Sequence, residues 1–246
     1  MKLTTTRILA ASVVVLCATV TTTAHAGLIV GGSSLLTSGD LTLLESWLGE
    51  GPLTLTNIFT KTVGSTPLDF HAAADGKGRT ISVMQATDDG VSAIIGGYNP
   101  LSWSDIADYN RTFDNAHRTA FLFNFANNTL YPQLLSTPGD DRGLYQTFNW
   151  AFCCGPSFGG GFDLGVLGDL TIGYSNLYSY SSGDGSDRGL SLVSGQRYDG
   201  INMDVGELEV FTVNADEPST LPLLGVGLLG ICALRCRRSV KHARTQ

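Results

Sequence analysis

Alternating apolar and polar positions in the middle of the chain predict a β-hairpin. The alternation runs over residues 79–86, as in a half-buried strand. Asp88-Asp89-Gly90 predicts a turn, and residues 91–98 predict the returning strand. The pair Gly96-Gly97 near the end of that strand predicts a bulge or a close backbone approach. The pattern thus places a hairpin at the centre of a β-domain.

The same patterns predict few helices around this hairpin. Leucines at i, i+3 and i+7 predict a helix between Gly39 and Gly49, capped by Asp40, and Pro67 begins a short helix at 67–74. Further strands are predicted at 54–63, 118–125, 130–135, 170–180 and 207–213, and loops at 101–115, 136–143 and the glycine-dense 155–165. The predicted fold class is α+β, a predominantly antiparallel β-sandwich with few short helices.

The N-terminal pattern predicts export. Basic residues precede an apolar run at 8–20, and small residues follow at Ala24-His25-Ala26. This pattern is typical of a secretory signal peptide at residues 1–26, cleaved between Ala26 and Gly27. The alternative, an uncleaved membrane anchor, is disfavoured because the apolar run is short for a membrane span.

The C-terminal segment predicts a transient anchor in the inner membrane. A polar linker at 214–220 precedes an apolar run at 221–234 and an arginine cluster. A helix over that run would reach about 21 Å, short of a bilayer core of about 30 Å, and its basic end would stay in the cytoplasm.

This tail resembles the PEP-CTERM sorting signal. The resemblance is carried by Glu217, Pro218 and the Arg237-Arg238 pair, although Asp216 stands where the family has its first proline. The resemblance implies that an exosortase recognises and removes the tail during export through a Gram-negative envelope. The chain would then divide into a signal peptide (1–26), a domain (27–214) and a sorting tail (215–246).

Residues 41–213 resemble the TLDc domain family in four blocks that follow the family order. The matching residues are Phe70, His71, Asp75, Lys77, Gly78, Gly96, Gly97, Tyr98 and Trp103 in the first block, the segment 120–124 in the second, Phe158, Gly159 and Gly160 in the third, and Glu207 and Glu209 in the fourth. Ala74 and Ile95 stand where the family usually has Cys and Phe. The resemblance implies a TLDc-like sandwich without a cysteine at that motif position.

Charge excludes one class of partner. Between Asp40 and Glu217 the chain has 22 acidic residues and only eight basic ones, a balance of −14. Because binding to phosphates needs clustered Lys and Arg, nucleic acid is not a predicted partner. Solubility in an extracellular setting accounts for this charge.

Few residues of the domain form a pattern that predicts chemistry. Cys153 and Cys154 are adjacent and could form a disulfide in an oxidising compartment, either as a redox element or as a plain structural pair. Histidine spacing predicts no metal site, and no cofactor motif is present. Asp75 with Glu207 or Glu209 could form a pair of carboxylates.

The sequence therefore predicts an exported surface or extracellular-matrix protein that acts by binding, without catalysis. Its predicted partners are an exosortase, exopolysaccharide or other surface components. The alternative is a secreted enzyme, redox or carbohydrate-active, that uses Cys153-Cys154 or exposed carboxylates.

Overall fold

The computed structural model describes residues 26–197 and 200–215. Within them, helices α1 (Ser38–Leu48) and α2 (Pro67–Ala74) accompany twelve strands. The strands are β1 (Leu28–Val30), β2 (Leu53–Thr60), β3 (Thr80–Asp88), β4 (Val91–Asn99), β5 (Asp108–Arg111), β6 (Phe121–Asn124), β7 (Thr129–Pro132), β8 (Tyr145–Asn149), β9 (Cys154–Phe158), β10 (Leu164–Leu167), β11 (Ile172–Ser175) and β12 (Met203–Ala215). The predicted signal peptide and tail helix lie outside the described residues. Over the described ranges, no helix is long and apolar enough to cross a membrane.

The long strand β12 divides the sheet into two halves. One edge of β12 pairs with β3, and the other edge pairs with β11 at its beginning and with β2 over its second half. The first half-sheet has the order β1-β2-β12-β3-β4-β6-β7, and the second has the order β5-β8-β9-β10-β11. All pairings are antiparallel except that of β1 with β2. The predominantly antiparallel, sandwich-like α+β architecture with few helices is therefore confirmed.

Two apolar clusters fill the space between the layers. One cluster includes Ile95 and Leu122 of the first half-sheet, Phe158 and Val166 of the second, and Phe70 of α2. The other includes residues of α1, such as Leu44, and lies on the opposite face of the first half-sheet. The first half-sheet is thus the middle layer, because it contributes side chains to both clusters.

The cap of α1 differs from the predicted one. Thr37, not Asp40, is the N-cap: its side chain accepts from the Asp40 backbone N–H at 3.2 Å, and the Asp40 carboxylate accepts from the Thr37 N–H at 2.8 Å. Asp40 therefore closes a reciprocal capping box as the third helical residue. Gly49 ends the helix in the left-handed region at φ 68°, as the sequence predicts.

The central hairpin is regular along its whole length. β3 and β4 pair without interruption from Thr80 opposite Asn99 to Asp88 opposite Val91. The predicted bulge at Gly96-Gly97 is therefore wrong. The alternative, a close backbone approach, is found at Gly96, where a β-carbon would lie 2.1 Å from the Ser82 carbonyl oxygen, and ring side chains crowd both glycines. A β-carbon on Gly96 would lie 2.5 Å from Phe123 Cζ, and one on Gly97 would lie 2.6 Å from Phe158 Cζ.

The second half-sheet is where the sequence interpretation was least accurate. The glycine-dense segment 155–165, predicted as a loop, contributes strands β9 and β10. β5 lies in another predicted loop, and the predicted strand at 170–180 is strand only from Ile172 to Ser175. All four strands are short. In β9, β10 and β11 a glycine also interrupts the alternation of side chains that would have identified the strand, whereas β5 is polar.

Candidate functional site

Five aromatic rings form a continuous row on the outer face of the second half-sheet. The ring centroids of Tyr145 and Tyr109 are 4.9 Å apart, and those of Tyr109 and Phe148 are 4.8 Å apart. The row continues from Phe148 to Phe162 at 5.7 Å and from Phe162 to Tyr174 at 5.8 Å, where the two rings stack. All five residues are half-buried, so each keeps part of its surface in solvent. We call this set the aromatic row.

Strand register explains why these rings share one face. Tyr109 lies opposite Phe148 across β5 and β8, and Tyr174 lies opposite Gly165 across β11 and β10. Side chains alternate between faces along a strand. Because Leu164 and Val166 belong to the inner cluster, Gly165 between them faces outward together with Tyr174.

Glycines make room for the rings. A β-carbon on Gly165 would lie 3.0 Å from Cβ and Cδ1 of Phe162, and one on Gly160 would lie 2.7 Å from Cδ2 of Tyr145. The rings therefore lie on backbone that has no side chains of its own at these points. This packing gives the glycine-dense segment a physical role that the loop interpretation missed.

One end of the row carries a paired cation. The Arg111 guanidinium lies 5.8 Å from the Tyr109 ring centroid and 5.7 Å from that of Tyr145. It donates to both carboxylate oxygens of Asp108, at 2.8 and 3.0 Å. These bonds lower the pKa of Asp108 and raise that of Arg111. The Arg111 guanidinium therefore lies beside two tyrosine rings, and the Asp108 carboxylate neutralises its charge.

A cleft of about 540 Å³ adjoins this end of the row. Arg111 contributes to its wall, together with Leu101, Asp114 and His117. The side chain of Phe113, also in the wall, is 77% exposed. The row and the cleft together give an elongated surface that mixes apolar rings with hydrogen-bonding groups.

A second arginine–tyrosine stack lies on the segment after β11. Tyr178 has the Arg188 guanidinium 4.9 Å and the Arg142 guanidinium 6.0 Å from its ring centroid. Arg142 is also paired with Asp140 at 2.8 Å, and hydrogen bonds from Arg142 lower the pKa of Asp140 to about 2. As at Arg111, a guanidinium close to the rings is held by a carboxylate.

Asp163, which follows Phe162 in the sequence, connects the aromatic row to the segment after β11 through hydrogen bonds. Its Oδ1 accepts from three successive backbone N–H groups, those of Tyr178, Ser179 and Tyr180, at 2.6 to 2.9 Å. Its Oδ2 is buried and has no hydrogen-bond partner. Burial raises the pKa of Asp163 to about 7, although the three N–H groups act in the opposite direction.

The residues of the first block predicted to resemble the TLDc family lie in the core and at its edge. His71 Nδ1 is 2.7 Å from Asp75 Oδ1, and His71 is buried. Trp103 Nε1 donates to Thr80 Oγ1 at 2.8 Å, and its ring contacts that of Phe70 edge-on. These contacts fix α2 to the central hairpin. In the same block, the Lys77 side chain is exposed to solvent. The Gly78 N–H donates to the Ser102 hydroxyl at 2.9 Å.

The two glutamates of the last block bind the segment between β1 and α1. Buried Glu209 accepts from the Ser33 hydroxyl and, at 2.8 Å, from the Ser34 N–H. Glu207 accepts from the Ser34 hydroxyl at 2.9 Å. Both carboxylates therefore have internal partners, as Asp75 does with His71.

Cys153 and Cys154 are joined by a disulfide at the turn between β8 and β9. The N–H groups of both residues donate to the Trp150 carbonyl, at 3.0 and 3.1 Å. Cys154 is fully buried, whereas Phe152 on the same turn is 75% exposed. In the described ranges, no three His, Cys, Asp or Glu side chains are grouped so that they could hold a metal ion.

A comparison with protein-family models identifies a PEP-CTERM protein-sorting motif at residues 217–238. No curated protein matches the chain. The motif marks an exported bacterial protein that is directed to the cell surface and targeted by an exosortase. The signal-peptide cleavage between Ala26 and Gly27 and the TLDc resemblance of residues 41–213 stay predictions.

The aromatic row is the part of the site that sequence reasoning missed. Its five residues come from four separate segments, and four of the five residues lie in or beside segments that the patterns did not identify as strands. Aromatic residues next to repeated glycines were the available signal, at Phe158-Gly159-Gly160-Gly161-Phe162. That signal becomes meaningful only once strand pairing places Tyr109, Phe148 and Tyr174 beside Phe162.

Proposed function

We propose that this exosortase-targeted protein acts outside the cell by binding exopolysaccharide, through a TLDc-like domain (27–214) that is not catalytic. The observation that carries the proposal is the aromatic row. A polysaccharide is a long, flat, amphipathic ligand, and an elongated line of rings on a sheet matches that shape.

The chemistry of the row suits sugars. Sugar rings present C–H groups on their faces and hydroxyls at their edges, so their faces pack on aromatic rings while their hydroxyls need polar partners. Asp108 and Arg111 offer an acceptor and a donor at one end of the row, next to the Tyr109 and Tyr145 rings. Rigid rings also lose little conformational entropy on binding.

Charge favours an uncharged polysaccharide. Two of the three arginines that lie over tyrosines at or near the row, Arg111 and Arg142, already pair with Asp108 and Asp140, and the third is Arg188. The span from Asp40 to Glu217 has a balance of −14, which repels uronate, sulfate or phosphate groups.

The absence of catalysis is part of the proposal. The carboxylates that a carbohydrate-active enzyme would need, Asp75 and Glu209, each hydrogen-bond to groups of the protein itself. A redox enzyme would use the Cys153–Cys154 disulfide, whose Cys154 sulfur belongs to a fully buried residue.

Affinity electrophoresis tests the proposal directly. The purified protein would be run in gels containing uncharged or acidic polysaccharide, beside Tyr109→Ala and Tyr174→Ala variants. We expect uncharged polysaccharide to retard the wild-type protein. Removing both rings, by combining Tyr109→Ala with Tyr174→Ala, should lower the affinity by at least about tenfold. Phe152→Ala, an exposed aromatic outside the row, is the matched control and should bind normally. Equal retardation of all variants would show that the row is not the binding site.

A further inference from the structure

The cleft at the Arg111 end of the aromatic row lies where the two half-sheets separate. Its lining comes from three places that the fold brings together: Pro100 and Leu101 directly after β4, residues of the segment 112–117 after β5, and Thr119 before β6. Its volume of about 540 Å³ is in the range of pockets that hold small ligands, about 300 to 1,000 Å³. The cleft is therefore large enough for a sugar unit, and it begins where the row ends.

A bulge in β8 places a buried amide at the floor of the cleft. The pairing register of β5 and β8 shifts between Asn110 and Arg111, which leaves Gln146 as the extra residue of β8. A bulge of this kind re-aims a side chain. Gln146 is fully buried and contributes to the lining, and its Oε1 accepts from the Thr112 hydroxyl at 2.9 Å. The floor is thus polar and fixed.

The amide behind this floor has a donor without a protein partner. The Leu101 N–H and Gln146 Nε2 both donate to Asn99 Oδ1, at 2.9 and 2.8 Å. Because a backbone N–H can only donate, the Leu101 bond fixes which end of the Asn99 amide is the oxygen. Asn99 is fully buried, and among the described residues no acceptor reaches its Nδ2. A buried donor of this kind costs free energy, which an acceptor group of a ligand in the adjoining cleft would recover.

The outer rim of the cleft, segment 112–118, is held in place by a buried cation. The Arg118 side chain is fully buried and donates to the Thr112 carbonyl at 2.9 Å, within the rim. It also donates to the Leu134 carbonyl at 2.9 Å and to Asp141 at 2.6 Å, outside the rim. The rim is therefore in position before a ligand arrives, so that little conformational freedom is lost on binding.

The rim presents one apolar ring and several polar groups. Phe113 is 77% exposed, so its ring is accessible to the face of a sugar. Arg111 has five N–H donors, more than its two bonds to Asp108 use. Asp114 lies 3.5 Å from His117. The described residues that line the cleft thus include no unpaired cation for a uronate or a sulfate group.

We propose that the cleft binds one uncharged pyranose unit of the polysaccharide that lies on the aromatic row, with the sugar face on Phe113 and its hydroxyls on the polar groups of the rim and floor. The proposal rests on the proposed function and adds the selectivity of that same site. A row of rings accepts any flat sugar face, whereas fixed polar groups in a cleft orient the ligand. The cleft therefore decides which sugar unit is bound.

Two exposed phenylalanines provide matched positions for the test. Phe113 on the rim is 77% exposed, and Phe152 on the turn between β8 and β9 is 75% exposed. Because both side chains are mostly in solvent, neither substitution should disturb folding. Only Phe113 lines the cleft.

The first experiment is affinity electrophoresis of the purified full chain in dextran, mannan or galactan, which are uncharged and differ in sugar unit. We expect the wild-type protein to bind one of them clearly more tightly than the other two. Phe113→Ala should lower that affinity by at least about fivefold, the contribution of one stacked ring, and bring the three affinities closer together. Phe152→Ala should behave as the wild-type protein does.

The second experiment detects occupancy of the cleft itself. Phe113→Trp keeps an aromatic ring and should retain the wild-type affinity. After subtraction of the wild-type spectrum, its tryptophan emission should move to shorter wavelength when the preferred polysaccharide is added, because the ring leaves water. Emission from Phe152→Trp should not move.

Two results would overturn the proposal while leaving polysaccharide binding by the row intact. One is a normal affinity and selectivity of Phe113→Ala in gels where removal of Tyr109 and Tyr174 abolishes retardation. The other is an unchanged emission of Phe113→Trp at saturating polysaccharide. If none of the three polysaccharides retards the wild-type protein, the proposed function itself fails, and the assignment of the cleft fails with it.

Discussion

Gly97 packs against Phe158 so closely that a β-carbon at residue 97 would lie 2.6 Å from Cζ of the phenylalanine ring. Gly97 belongs to β4 of the first half-sheet, and Phe158 belongs to β9 of the second. The two residues therefore set how closely the halves approach. Phe158 in turn contacts Trp103 and Tyr180 edge-on, so a shift of its ring would disturb the inner cluster widely.

Gly97→Val should destabilise the domain by about 2 kcal/mol or more, because two extra methyl groups and a β-carbon have no space beside Phe158. Thermal and urea unfolding of the purified protein would measure the change. Gly183→Ala is the control, since a β-carbon there meets nothing within 4 Å. A melting temperature unchanged within error for Gly97→Val would contradict this account of the packing.

Asp163 should make stability depend on pH. Burial raises the pKa of Asp163 from its ordinary value of 3.8 to about 7, so between these pH values the folded state holds a proton that the unfolded state has released. The free energy of unfolding is therefore highest below about pH 4. It falls by up to about 4 kcal/mol as pH rises from there through about 7.

Asp163→Asn tests this dependence, because an amide oxygen still accepts from Tyr178, Ser179 and Tyr180 but does not titrate in this range. The free energy of unfolding of the wild-type protein should decline relative to this variant between pH 4 and pH 7 and then level off. Asp89→Asn, in an exposed turn, should leave the wild-type profile unchanged. Parallel profiles for wild type and Asp163→Asn would exclude a shifted pKa at this carboxyl.

Glu209→Ala should release the segment between β1 and α1. The carboxylate is buried and accepts from the Ser33 hydroxyl and the Ser34 N–H, so its removal takes the acceptor from both donors and costs roughly 1 to 3 kcal/mol. Hydrogen exchange should become faster at the Ser34 amide. Glu207→Ala, which removes an exposed carboxylate from the same hydroxyl, should have a much smaller effect. Equal effects of the two variants would mean that burial at Glu209 is unimportant.

How much the sequence predicts depends on whether the local pattern and the packing agree. In the central hairpin they agree: strict alternation and a turn at Asp89-Gly90 predict β3 and β4 almost to their ends. Likewise, proline in a strand predicts a sheet edge, and Pro132 lies in β7, the last strand of the first half-sheet. In both places the backbone conformation that the local sequence favours is the one that the surrounding packing requires.

Prediction fails in the second half-sheet because there the local pattern and the packing disagree. At Gly155, Gly160 and Gly165 the backbone must leave space for Leu170, Tyr145 and Phe162, so the residue that fits the tertiary structure is a poor strand former. Sequence patterns read such glycines as a loop. The aromatic row depends on Gly160 and Gly165. Its other rings come largely from β5 and β8, which contain no glycine but have only four and five residues, too few for a pattern to identify them.

The domain should fold without either end segment. Every described strand lies between Leu28 and Ala215, and β12, which joins the two half-sheets, ends at Ala215. A fragment of residues 27–215 should therefore be a soluble, β-rich protein by circular dichroism, with one cooperative unfolding transition. A fragment ending at residue 208 is the control: it lacks the part of β12 that pairs with β2 and should not fold. Aggregation of the longer fragment would contradict these boundaries.

The last prediction concerns removal of the tail. The sorting motif at 217–238 follows β12 after one residue, and Pro218 cannot continue a helix from the apolar run. If the arginines after residue 234 remain in the cytoplasm, the Glu217-Pro218 segment is presented on the outer face of the inner membrane, within reach of a membrane protease. We expect the mature protein to end near Pro218 and to leave the inner membrane. Mass spectrometry of the protein from its native host would measure the C-terminus, and Arg237→Ala with Arg238→Ala should cause unprocessed chain to accumulate. An intact C-terminus at Gln246 in the inner membrane would instead make the tail a permanent anchor.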